Sequence, residues 1–151
     1  MEISRSAYVE ASPEAVYSLV SDLPRMGELS DENQGGRWLG GATGPAVGAR
    51  FKGHNRNGWR RWSTTVTVEQ ADPGQAFAFR VGFYGVPVSR WTYAVAATDG
   101  GSTVTETWND RRPWWFKGPA GLTTGVMDRE NATALSIEHT LAKVKSVLEK
   151  V

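Results

Sequence analysis

The stretch FAFRVGFYGVPVSRWTYAVAATDGGSTVTETW, residues 77–108, decides the fold. Its large apolar residues recur at every second position, the period of a strand with one covered face. Phe77, Phe79, Val81 and Phe83 share one such face; Trp91, Tyr93 and Val95 share the next; Val104, Glu106 and Trp108 share the third. Gly85 and Asp99-Gly100-Gly101 punctuate the runs where hairpin turns need residues tolerant of positive φ. The spacing leaves no room for the helical crossovers that parallel strands require, so the runs are antiparallel neighbours.

The same pattern extends upstream. Runs rich in Val, Thr, Phe and Trp are separated by Gly40-Gly41, Gly44-Pro45, Asn57-Gly58 and Asp72-Pro73-Gly74. Phe51, Gly53 and Asn55 line up on one strand, and Trp62, Thr64, Val66 and Val68 on the next. The reading is a meander of about six strands between Arg37 and Arg112, preceded by a first strand over residues 3–10. Ser12-Pro13-Glu14 opens a helix. Ser12 accepts from a first-turn N–H, Pro13 stands where a missing N–H costs nothing, and Glu14 suits the positive helix end. Pro24 ends this helix, Arg25 to Leu29 form a second short helical piece, and residues 30–36 read as a loop.

Beyond Pro113, Leu122, Val126, Thr133, Ile137, Leu141, Val144 and Leu148 follow helical spacing and predict one long C-terminal helix with an apolar stripe against the sheet. The class is therefore α+β: an antiparallel sheet of about seven strands, two short helices after the first strand, and a long last helix. No repeat or linker interrupts the chain, so residues 1–151 read as a single domain.

Composition removes many functions. The chain has 151 residues, 40% of them hydrophobic, and 17 basic against 16 acidic side chains. That is ordinary globular usage, and about 68–70% of the unfolded surface is buried at this size. No cysteine is present and there are only two histidines, which excludes thiolate nucleophiles, cysteine zinc sites and a multi-histidine metal centre; no metal or cofactor is expected. No apolar run approaches the ~20 residues of a membrane span, and the polar start lacks a signal peptide's features, so a cytoplasmic location is expected. The hairpin HNRNGWRRW, residues 54–62, interleaves basic and aromatic residues. With net charge near zero, Arg–Trp stacking and ion pairing explain it, and no nucleic-acid partner is expected. A monomer is the expected state.

The informative residues are the polar ones on aromatic faces. An ionised Glu106 buried without a partner would cost several kcal/mol, so either a wet cavity or a partner must receive it. A strand bulge carrying it to the rim, beside Arg90 or Arg111, is the alternative. Asn55 either faces the same interior or bonds backbone groups of the adjacent turn. Seven tryptophans exceed what packing a core of this size requires. Trp91 and Trp108 read as core anchors, while Trp59, Trp114 and Trp115 lie beside basic residues and turns and suit an exposed or gating surface. His54 and His139 fall off the apolar faces and read as solvated. There is no phosphate loop, nucleophile elbow or metal-spaced histidine pair, so acid–base chemistry falls to Glu106, a tyrosine such as Tyr93 or Tyr84, or an arginine.

The segments ISRSAYVEASPEAVYSLVSDLPRMGELS (3–30), GARFKGHNRNGWRRWSTTVTV (48–68), FAFRVGFYGVPVSRWTY (77–93) and VTETWNDRRPWW (104–115), with the last helix, resemble the START/Bet v 1-like (SRPBCC) superfamily, in particular its bacterial polyketide cyclase/dehydrase-like branch. The resemblance covers essentially the whole chain. It implies a helix-grip fold, in which a curved sheet wraps the long C-terminal helix and leaves an elongated, mainly apolar cavity. Members bind lipids, sterols, plant hormones and polyketides, and a minority cyclise or aromatise polyketide chains. No family-wide catalytic motif falls on residues of this chain. On this basis Asn55, Trp62, Phe79, Phe83, Trp91, Tyr93, Glu106 and Trp108 are the expected ligand-binding residues, with Trp114 and Trp115 at an entrance. The leading reading is a binder of a hydrophobic small molecule. The alternatives are a polyketide cyclase, aromatase or dehydratase using Glu106 as acid/base, and a protein-interaction module with a collapsed cavity.

Overall fold

The computed structural model describes residues 1–125 and 128–149. Seven strands form one antiparallel sheet: β1 (Glu2–Val9), β2 (Asn33–Trp38), β3 (Arg50–Asn57), β4 (Arg60–Asp72), β5 (Ala76–Phe83), β6 (Val86–Thr98) and β7 (Gly101–Asp110). Their spatial order is β1-β7-β6-β5-β4-β3-β2, so six strands run as a meander and the first closes onto the last. Register shifts between β2 and β3, at Val68/Gln70 and at Val81/Gly82 bend the sheet, since a bulge sharpens local twist. The concave face holds the helices, in the helix-grip arrangement.

Helix α1 (Pro13–Val20) begins as its residues dictate: Ser12 accepts from the Ala15 N–H at 3.1 Å and Pro13 occupies the first turn. A 3-10 helix, Leu23–Glu28, follows. Strand β2 then takes up residues 33–38, part of which reads as loop in the sequence. The signal was masked by Gly35-Gly36, which a pattern reading scores as a breaker. Glycine is required there because a Cβ on Gly36 would stand 1.9 Å from the Lys52 carbonyl oxygen.

The C-terminal part corrects the sequence reading more substantially. Two helices replace one: α2 (Trp114–Thr124) and α3 (Arg129–Leu148). Gly125 ends α2 in the left-handed region at φ 74°, its N–H bonded to the Gly121 carbonyl. Leu122 belongs to α2 and is 73% exposed, so it is not part of the long helix's stripe. Val126 lies outside the described residues. Thr133, Ile137, Leu141 and Val144 are buried as the stripe predicted, and Leu148 is partly buried against the core.

The core fills one end of the grip. Val16, Tyr17, Leu19 and Val20 of α1 meet Phe77, Val95 and Val104 of the sheet and Ile137, Leu141 and Val144 of α3. The Tyr17 and Phe77 rings meet edge to face at 6.3 Å. No helix among the described residues is long and apolar enough to cross a membrane.

Candidate functional site

The inner face changes character along β6 and β7. Register pairs Val95 with Val104, then Tyr93 with Glu106, Trp91 with Trp108, and Ser89 with Asp110. The first pair closes the packed core, and the next two line a cavity of about 240 Å³. The cavity runs between the inner faces of β3 to β7 and the helices α2 and α3. Asn55, Trp62, Phe79, Phe83, Trp91, Tyr93, Glu106 and Trp108 all contribute to its wall. The free volume contradicts a collapsed interior. It lies just under the roughly 300–1,000 Å³ of pockets for drug-sized ligands.

Glu106 is 2% exposed, so the rim position beside Arg90 or Arg111 is overturned. Arg90 pairs instead with Glu69, at 2.9 Å. The Tyr93 hydroxyl donates to Glu106 Oε2 at 2.8 Å, the partner placed by cross-strand register. Oε1 has no partner among the described residues. Burial pushes the Glu106 carboxyl up to about 8, against the opposing pull of the Tyr93 hydrogen bond. Tyr93 is raised well above 10, chiefly by burial and further by the neighbouring carboxylate charge. Near neutral pH the pair is therefore a phenol bonded to a largely protonated carboxylic acid inside an aromatic wall.

Asn55 donates to Thr64 Oγ1 at 3.2 Å and faces the cavity. The turn bond expected of it is made by Arg56, whose Nε donates to the Gly58 carbonyl at 2.8 Å, while the Asn57 amide donates to the Thr124 carbonyl at 2.9 Å. Trp91 is half-buried on the cavity wall, not a fully enclosed anchor, whereas Trp108 is buried. His54 is exposed beside Ser63 Oγ, and His139 is exposed beside Asp31. The Arg60 guanidinium stacks on Trp59 at 4.3 Å, the pairing anticipated for the basic hairpin.

Several lining groups were not legible in sequence. Arg112 reaches into the wall and clamps Asp110 with two side-chain bonds of 2.9 and 2.8 Å, and its backbone N–H adds a third. Burial raises the Asp110 carboxyl, but the Arg112 bonds and the charges of Arg112 and Lys117 pull it below its ordinary value. Arg129, at the start of α3, pairs with Glu32, and both line the cavity. Thr133 and Thr140 of α3 also line the cavity, so Thr133, on the predicted stripe, serves the cavity as well as the core.

Helix α2 roofs one side. Phe116, Pro119, Ala120, Thr123 and Thr124 face the cavity, and Phe116 meets Phe83 with ring centres 5.9 Å apart. The β3–β4 hairpin holds the far end of the helix: Asn57 donates to the Thr124 carbonyl, and Arg60 Nε donates to the Leu122 carbonyl at 3.2 Å. Both bonds satisfy last-turn carbonyls that a helix leaves open. Trp114 and Trp115 occupy the first turn of α2 and are 86% and 54% exposed, outside the cavity lining.

A curved sheet gripping a helix around a largely apolar cavity defines the class: a helix-grip protein whose fold suits hydrophobic ligand binding or polyketide cyclase chemistry. The chain belongs to the family described as "Polyketide cyclase / dehydrase and lipid transport", whose model matches residues 1–149. The Polyketide_cyc-like protein Cgl2372 from Corynebacterium glutamicum is similar at 28% identity and a TM-score of 0.65, over 98% of this chain and 91% of that one. The di-domain ARO/CYC StfQ from the steffimycin biosynthetic pathway shares the fold at a TM-score of 0.76 and 10% identity, over 98% of this chain and 50% of that one. Ara h 8.0201 does so at 0.69 and 14% identity, over 98% of this chain and 97% of that one. Comparison with curated proteins returned no match.

Proposed function

We propose that this chain binds a compact, mainly apolar small molecule, aromatic or polyketide-like, between its sheet and its C-terminal helices. The observation that carries the reading is a cavity of about 240 Å³ with an aromatic wall of Trp62, Phe79, Phe83, Trp91 and Trp108, its exposed lining mainly apolar although polar residues such as Asn55, Glu106 and Thr133 also contribute to it. Such walls favour apolar burial at roughly 25 cal/mol per Å², and isolated polar groups fix orientation. Trp114 and Trp115, at the start of α2, form the rim through which the ligand enters.

A titration with fatty acids, sterols, flavonoids and anthraquinone-type polyketides, followed by two-dimensional NMR, tests this. Saturable shifts confined to Trp62, Trp91, Tyr93, Glu106 and their neighbours are expected. Shifts restricted to the outer hairpin and the Trp114–Trp115 surface would instead favour a protein-interaction module.

A second reading, cyclisation or dehydration of a poly-β-ketone, is favoured by the Tyr93–Glu106 pair, because a carboxyl near 8 suits proton transfer at neutral pH. Glu106→Gln separates the two: a pure binder largely retains affinity, whereas a cyclase loses turnover without losing binding.

A further inference from the structure

Glu106 has one oxygen satisfied and one not. Tyr93 donates to Oε2, while Oε1 is buried and partnerless among the described residues, on a side chain that contributes to the cavity lining. A buried polar atom left unpaired costs about 1–3 kcal/mol, so an occupant that completes it is strongly selected. Which hydrogen-bonding role Oε1 offers depends on the charges around it. On β1, Arg5 lies directly across from Glu106 in register, but it is exposed and pairs with Glu138 of α3 at 3.7 Å. From β6 the titratable neighbour is Tyr93, itself a donor. Beyond β7, Arg112 is held by Asp110, and from α3 Arg129 is held by Glu32. Also on α3, His139 and Lys143 both face Asp31. Among the described residues each of these cations is paired with an acid other than Glu106, and burial favours the neutral form of Glu106. A neutral carboxyl that accepts at Oε2 carries its hydrogen on Oε1.

We propose that Glu106 Oε1–H donates to the carbonyl oxygen of a neutral ligand, so that the inner end of the cavity selects ketones and rejects carboxylates. The assignment rests on the cavity reading above and narrows it: fatty-acid and other anionic lipids are disfavoured occupants. An anion here would face a second oxygen-rich group, and the two cations of the lining, Arg112 and Arg129, are already held by Asp110 and Glu32, which leaves little to offset its desolvation. Loss of the Glu106 proton would turn the donor into a repulsive acceptor and expel the ketone.

Three naphthalenes of similar size test the proposal: 2-acetylnaphthalene, 2-naphthoate and 2-ethylnaphthalene, titrated calorimetrically into the full chain near pH 6 and near pH 9.5. In the wild type the ketone is expected to bind about tenfold or more tighter than the carboxylate near pH 6, the worth of one hydrogen bond, and to weaken about tenfold near pH 9.5. Glu106→Gln keeps an N–H donor and cannot ionise, so its ketone affinity should not change with pH. Glu106→Leu should bind the ketone and 2-ethylnaphthalene alike. The carbonyl of ¹³C-labelled ketone should shift downfield on binding to wild type and less so in Glu106→Leu, a signature that mere repacking would not produce. Equal binding of all three compounds, or ketone affinity that is flat with pH in the wild type, overturns the Glu106 assignment and leaves the cavity reading standing. Binding of none of them overturns both.

Discussion

At the scale of single residues, Glu106 links the site to stability. Its carboxyl titrates at about 8 in the folded chain against an ordinary 4.5, so between these values the folded state holds a proton that the unfolded state releases. Stability then falls as pH rises through that window and is flat above and below it, a loss on the order of several kcal/mol before solvent relaxation reduces it. Thermal melts of wild type and Glu106→Gln across this range should diverge, the wild type losing Tm relative to the variant as pH rises; parallel curves would show that the carboxyl is not buried in its neutral form. Asp110 has the opposite sign. Arg112 holds it below its ordinary value, so its contribution is present at neutral pH and lost in acid. Alternation alone placed Glu106 on the inner face. Its partner could not be read that way, because Tyr93 becomes the neighbour only when β6 and β7 adopt the register that sets the two opposite each other.

At the scale of elements, α2 is the part that the sequence pattern concealed. Leu122 continues the spacing of the α3 stripe by coincidence of period, and Trp114-Trp115-Phe116 resembles a connecting loop rather than a first turn. Gly125 carried the stop signal, since a left-handed cap at φ 74° favours glycine. A Cβ there would also stand 2.8 Å from Arg60 Cδ, on the arm that holds the end of α2. Gly125→Ala should therefore cost about 1–3 kcal/mol and speed hydrogen exchange of the α2 amides, leaving α1 unchanged. Trp114→Ala/Trp115→Ala removes exposed rings, so stability should stay within about 0.5 kcal/mol. Stopped-flow uptake of a bound ligand should slow if these rings form the entrance; an unchanged rate removes that role from them.

At the scale of the whole molecule, the helices cover the sheet unevenly. Helix α1 and the C-terminal half of α3 pack one end to closure, while α2 and the start of α3 stand off the other and leave the cavity. Filling that space should cost little. Val81→Trp places a ring into free volume instead of packed atoms, so folding should persist with stability within about 1 kcal/mol, and ligand-induced NMR shifts should disappear. A variant that folds and still binds the same ligand with the same affinity would put the site elsewhere.

The α+β class, the strand faces, most of the turns, the first helix with its Ser12 cap and the buried stripe of α3 were all determined by the sequence alone. Each is written in neighbours two, three or four residues apart, and local backbone geometry translates that spacing directly into a face or a turn. The break between α2 and α3, the volume left beneath α2, the Arg112–Asp110 and Arg129–Glu32 clamps and the open oxygen of Glu106 were decided by tertiary structure. Gly125 marks the end of α2 locally, but the hairpin that holds that end and satisfies its last carbonyls lies more than sixty positions upstream. The cavity depends on how far two faces stop short of each other, a distance that no periodicity encodes.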